Sequence, residues 1–76
     1  MRKPRGALVL YTSENCGLCD HAKETLAGLG LRFDEVLVPD DHAYRLRTPV
    51  LEAGGAVVAE GQIDDKALRR AFKRRR

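Results

Sequence analysis

Two cysteines, Cys16 and Cys19, are the only thiols in the chain and are separated by Gly17 and Leu18. Two thiols at this spacing can close a small disulfide ring, because the second sulfur reaches the first. The reactive form of cysteine is the thiolate, which attacks disulfides and ligates metals. What surrounds the pair decides how readily a thiolate forms. Ahead of it, Ala7-Leu8-Val9-Leu10-Tyr11 is apolar and rich in strand formers, and Thr12-Ser13-Glu14-Asn15 is polar and turn-like. Behind it, Leu18, Ala22, Leu26 and Leu29 recur at helical spacing. The pair therefore lies in a loop that opens a helix. Free N–H groups and the positive end of the helix dipole favour an anion there, in this case the Cys16 thiolate.

The elements needed to hold such a loop follow along the chain. The first helix is expected from about Gly17 to Leu29, with glycines 28 and 30 around its end, where glycine is the usual stop. Phe33 to Val38 reads as a second strand, closed by Pro39. Asp40 to Arg45 is expected to form a turn or two of helix with Asp40 as N-cap. Val50 to Ala53 and Ala56 to Ala59 read as a hairpin around Gly54-Gly55, a favoured two-residue turn. Asp64 is placed as the cap of a last helix whose Ala67, Leu68, Ala71 and Phe72 share one face. A helix between two strands of like direction implies a parallel pair with a right-handed crossover.

With these residues in place, the chain resembles the thioredoxin superfamily, and most closely its small glutaredoxin-like branch. A C-x-x-C beside a β-α-β pattern is itself a thioredoxin-like redox signature. Thr48-Pro49-Val50-Leu51 resembles the segment in which the family's cis-proline opens a strand. Gly61 to Asp65 resembles the glycine-then-acid turn before the last glutaredoxin helix, and Leu10-Tyr11-Thr12 the end of the first strand. The likeness spans roughly residues 7 to 72. It implies an α/β minimal thioredoxin fold, written β-α-β, short connection, β-β-α, with a four-stranded mixed sheet flanked by helices. All 76 residues are expected to form one domain with basic flanks at about 1–5 and 73–76.

The resemblance implies a dithiol–disulfide oxidoreductase with Cys16 as nucleophile and Cys19 as resolving thiol. It implies a cis Thr48–Pro49 bond beside the sulfurs, since an unaided X-Pro bond is cis only about 5–6% of the time. Gly17, Leu18, Thr48, Pro49 and Asp64 are the residues it points to for substrate contact. No metal or other cofactor is expected beyond the reversible Cys16–Cys19 disulfide. The implied partners are a protein disulfide and a recycling reductase. Glutathione use is doubtful. Glutaredoxins commonly carry a lysine before the first cysteine and an aromatic inside the motif, where this chain has Ser13 and Leu18; their Thr-Val-Pro is replaced by Arg47-Thr48-Pro49. The chain has no tryptophan and no proline between the cysteines, so it departs from thioredoxins too.

Composition bounds the alternatives. A chain this short buries about 60–65% of its unfolded surface and is marginal but able to fold without staples. No stretch approaches the roughly 18 apolar residues of a membrane span, and Met1 to Tyr11 does not read as a signal peptide. A cytoplasmic monomer is the expectation, and there a lone cysteine pair is catalytic or metal-binding more often than structural. A zinc site on Cys16, Cys19, His21 and His42 is the alternative from a different class, although one C-x-x-C without a second knuckle is weak support. An interaction domain docking through its basic tail is another. Arg2, Lys3 and Arg5 open the chain, and Arg69, Arg70 and residues 73–76 close it, while residues 6–68 hold five bases against eleven acids, a net of −6. Nucleic acid is not the expected partner, because the tail's arginines have no aromatic interleaved with them and Phe72 is assigned to the apolar helix face. Tyr11 and Tyr44 are read as packing residues, and His21 and Lys23 as ordinary surface positions.

Overall fold

A computed structural model describes residues 8–72; residues 1–7 and 73–76, and with them the flanks expected at about 1–5 and 73–76, lie outside the described residues. The element order is β1 (Leu8–Thr12), α1 (Gly17–Gly28), β2 (Asp34–Leu37), β3 (Val50–Ala53), β4 (Ala56–Glu60) and α2 (Asp65–Phe72). The strands form one sheet in the order β2-β1-β3-β4. β1 runs parallel to β2, and the other two pairs are antiparallel. This is the mixed four-stranded α/β arrangement of a thioredoxin-like fold.

Alternation along β1 decides what each face of the sheet holds. Leu8, Leu10 and Thr12 are buried, while Val9 and Tyr11 point to the opposite face and are half-buried. The buried set faces α1, whose inward stripe is Cys19, Ala22 and Leu26, at spacings of three and four. Leu51, Ile63 and Leu68 complete one cluster with Leu8, Leu10, Ala22 and Leu26. Each of these large side chains contributes about 1.5–3 kcal/mol by leaving water. Both helices therefore serve one face of the sheet.

The ends of α1 match their chemistry. Gly30 N–H bonds to Ala27 O at 3.0 Å and Leu31 N–H to Leu26 O at 3.0 Å, the pairing of a Schellman stop. Gly30 takes the φ of +75° that this motif requires. The hairpin turn is as expected, with Gly54 and Gly55 both at positive φ between Ala53 and Ala56. The regular part of β2 begins one residue after Phe33 and ends one before Val38. Val38 nonetheless continues the pairing, its N–H donating to Thr12 O at 2.8 Å.

The connection after β2 corrects the sequence reading. Residues 40–47 form successive turns and a bend, with no helix and no cap at Asp40. His42 N–H bonds to Pro39 O, Arg45 N–H to His42 O and Arg47 N–H to Tyr44 O. The Tyr44 N–H goes instead to its neighbour's imidazole, His42 Nδ1, at 2.9 Å. A side chain thereby takes a donor that a helix would need. Asp40 pairs with Arg45 at 3.3 Å. Phe72, on the last described turn of α2, is 40% exposed, the least covered of the four residues expected on one face.

Candidate redox site

Cys16 is the N-cap of α1. The turn at Glu14 and Asn15 reverses the chain after β1, and Asn15 takes a left-handed φ of +55°, which asparagine tolerates better than most residues. Cys16 then starts the helix, and its carbonyl accepts from Cys19 N–H at 3.1 Å and Asp20 N–H at 3.2 Å. Its Sγ also accepts the Cys19 N–H, at 3.1 Å. A helix-end donor is therefore aimed at the first sulfur. Cys16 and Cys19 are joined by a disulfide, with Cα atoms 5.2 Å apart. Their surroundings differ. Cys16 is half-buried, whereas Cys19 is 2% exposed and belongs to the inward stripe of α1. Between them Gly17 is open to solvent and Leu18 is 49% exposed.

The sheet brings Thr48 and Pro49 to the same end. Tyr11 pairs with Val50 across β1 and β3, so the residues just before Val50 lie beyond Thr12, beside the loop that leads to Cys16. The two segments meet through their hydroxyls, Ser13 Oγ and Thr48 Oγ1, 2.7 Å apart. Thr48 Oγ1 also donates to Arg45 O at 3.3 Å, which leaves Ser13 as donor to Thr48. The Thr48–Pro49 bond is cis, as the resemblance implied, and Pro49 is buried. Gly61, at φ +76°, donates its N–H to Pro49 O at 2.8 Å.

Asp64 has a different occupation. Its Oδ1 accepts from Ala67 N–H at 2.9 Å, capping α2, and buried Ile63 before it shares a core cluster with Leu68. That is an N-cap with the apolar residues of a hydrophobic staple at its flanks. His21 is exposed on α1. His42 stacks with Tyr11 and Tyr44 at ring-centroid distances of 5.9 and 5.2 Å. Among the described residues, no group of three or more histidine, cysteine or acidic side chains converges as a metal site.

Two polar networks escaped the sequence reading. Near α1, Glu35 Oε2 accepts from the buried Thr12 hydroxyl at 2.9 Å and from Lys23 Nζ at 3.2 Å. Lys23 also lies 3.7 Å from Asp20, so it is less idle than an ordinary surface lysine. On the other face, Glu52 accepts from Tyr11 Oη at 3.3 Å and from Tyr44 Oη at 2.7 Å. The two phenol rings pack edge to face at 5.1 Å. Both phenol pKa values are raised above 10.0: Tyr11 chiefly by burial and then by the Glu52 charge, Tyr44 chiefly by its hydrogen bond to Glu52. Arg47 lies 5.1 Å from the centre of the Tyr44 ring and holds Glu60 through Nε at 2.9 Å and Nη2 at 2.7 Å. Alternation in β1 put Tyr11 opposite the core residues, but no local pattern links it to an acid 41 residues away.

The glutaredoxin family model matches residues 8–55, from the start of β1 to the hairpin turn, which is well over half of the chain. The chain belongs to the glutaredoxin family. No curated protein matches it. Membership, together with the Cys16–Cys19 pair, supports thiol–disulfide oxidoreductase chemistry in general, and proteins of this family act on protein disulfides and are recycled by reductases. Among the described residues, no helix is long and apolar enough to cross a membrane.

Proposed function

We propose that this glutaredoxin-family domain reduces protein disulfides, with Cys16 as the attacking sulfur and Cys19 as the resolving one. The observation that carries the reading is the asymmetry of the pair. One sulfur caps a helix, accepts a backbone N–H and is partly open to solvent; the other is buried behind it. The Cys16 thiolate attacks one sulfur of the substrate disulfide, a mixed disulfide forms, and the other substrate sulfur leaves as a thiolate that takes up a proton. Cys19 gives up its proton and attacks Cys16 Sγ. The Cys16–Cys19 bond forms, the mixed disulfide breaks, and the second substrate thiol departs. The substrate gains two electrons and the domain loses two, which a reductase's dithiol returns.

Thr48 stands where its backbone can pair with an extended substrate segment, with Gly17 and Leu18 open between the sulfurs. Glutathione is a poor electron donor in this reading. Ser13 occupies the place of the family's lysine and its hydroxyl is committed to Thr48, and Leu18 occupies the place of the aromatic. We place the activity in the cytoplasm, on a monomer.

Three measurements test the proposal. Iodoacetamide at pH 6 is expected to label Cys16 of the reduced protein ahead of Cys19. Cys19→Ser is expected to trap partner proteins as mixed disulfides released by reductant, and Cys16→Ser almost none. Insulin reduction should proceed with a thioredoxin reductase and slowly with glutathione and its reductase. If neither variant traps a partner and the reduced protein carries stoichiometric zinc, the pair is a metal site instead.

A further inference from the structure

The last strand and the last helix leave a groove that the redox reading does not use. β4 is an edge strand, paired with β3 on one side only. A bulge in that pairing, where Leu51 meets Ala59 but Glu52 meets Val57, turns both Val58 and Ala59 toward the core. Beside them, between β4 and α2, lies a groove of about 470 Å³. Val57, Ala59, Ala67 and Ala71 give it short apolar walls, and the charged residues lining it are Glu60 and Arg70. Those two charges are not equivalent. Glu60 is neutralised by Arg47 at 2.7 Å, whereas Arg70 has no carboxylate within ion-pair distance among the described residues. Lys66 and Arg69, exposed on the same helix, are likewise without one, and Lys73, Arg74, Arg75 and Arg76 follow directly in sequence. The groove is thus apolar inside, and the one charge on its helix side is the unneutralised Arg70.

We propose that this groove docks an acidic, extended segment of a partner protein, with a small apolar side chain set between β4 and α2 and a carboxylate facing Arg70. The free edge of β4 suits an extended chain, and the unneutralised Arg70 selects its charge. A second copy of the domain is disfavoured there, because pairing β4 with β4 would bring two sets of like-charged α2 residues together. The groove also lies within reach of the redox centre. Glu60, at the end of β4, pairs with Val50, next to the cis-proline. At about 4.8 Å per strand, a segment added outside β4 sits roughly 14 Å from β1, a gap that about five extended residues span.

The test uses the full chain and a fluorescein-labelled peptide of four Glu-Val repeats, read by polarisation. The peptide contains no cysteine, so its binding does not depend on the oxidoreductase reading. A Lys-Val peptide of equal length and a ten-nucleotide oligothymidylate are the comparison probes. The Glu-Val peptide is expected to bind at least tenfold more tightly than either. Arg70→Glu, which reverses an exposed charge, and Ala71→Leu, which fills the groove, should each weaken it about tenfold while the thermal midpoint stays within a few degrees. Equal affinity for both peptides would overturn the proposal, as would preference for the oligonucleotide, insensitivity to both substitutions, or concentration-dependent dimerisation blocked by Ala71→Leu.

Discussion

On one face of the sheet, α1 and α2 bury Leu10, Leu26, Leu51 and Ile63 completely; on the other, a run of turns reaches over Tyr11 and leaves Val36 and Val57 about two-fifths exposed. The first face is held by apolar packing, which does not rest on charge pairs that salt screens. The second buries Val38 and Val50 and adds a shared carboxylate, stacked rings and an exposed ion pair. The domain thus places its largest buried cluster on one side of the sheet. The other side then remains adjustable by polar chemistry, close to the residues that meet a substrate.

Breaking the packed face should have the largest effect. Leu26→Ala removes a fully buried side chain from the central cluster and is expected to cost about 2–5 kcal/mol. In a domain of this size the thermal midpoint should fall by roughly 10 °C or more. Val9→Ala, on the half-buried face, should lower it by clearly less. Equal losses, measured by calorimetry, would erase the contrast between the faces.

An intermediate effect is expected from pH. Both phenol pKa values are raised in the folded state, so the protonated phenols favour folding. The stability they confer is fully present below about pH 10, the ordinary phenol value, and is lost as pH rises through the raised folded values. Glu52→Gln removes the charge but keeps an acceptor, so it should flatten the fall. Urea midpoints for both proteins between pH 8 and 11 check this, and parallel curves would show that Glu52 does not couple to the tyrosines. The smallest effect belongs to Arg47→Ala. Its ion pair with Glu60 is about half exposed on both sides and is worth about 0.2–1 kcal/mol. The difference from the parent should shrink in 1 M salt, where the screening length is about 3 Å. A difference that persists would assign the contribution to Arg47 packing on the Tyr44 ring.

What the sequence disclosed divides along the same line. The strands, α1 with its glycine stop, the glycine hairpin and the Asp64 cap were legible because each is written within a few adjacent residues. The cysteine pair at a helix start was legible for the same reason. The Thr48–Pro49 conformation was legible only through family likeness. The second face was not legible. Glu52 finds Tyr11 across the sheet, and His42 takes a backbone donor by a choice that favours turns over a helix where helical spacing was equally permissible. Periodicity assigned Phe72 to an apolar face but does not reveal how fully a last helical turn is covered. The Thr12–Glu35–Lys23 contacts join three elements, and no spacing rule connects them.

The connection between β2 and β3 has an evolutionary consequence. β2 runs parallel to β1 and β3 antiparallel to it, so β2 ends and β3 begins at the same end of the sheet. The chain between Leu37 and Val50 has only β1 to step over, a gap of two strand spacings, or about 10 Å. Nothing in the sheet fixes its length. A full helix or a run of turns closes the gap equally well, so insertions and deletions there leave strand order and core untouched. This segment also ends at Thr48, against the loop that carries Cys16. Changes confined to residues 39–47 can therefore alter what reaches the sulfurs while the α1-side core stays intact, at the cost of the His42, Tyr44 and Arg47 contacts.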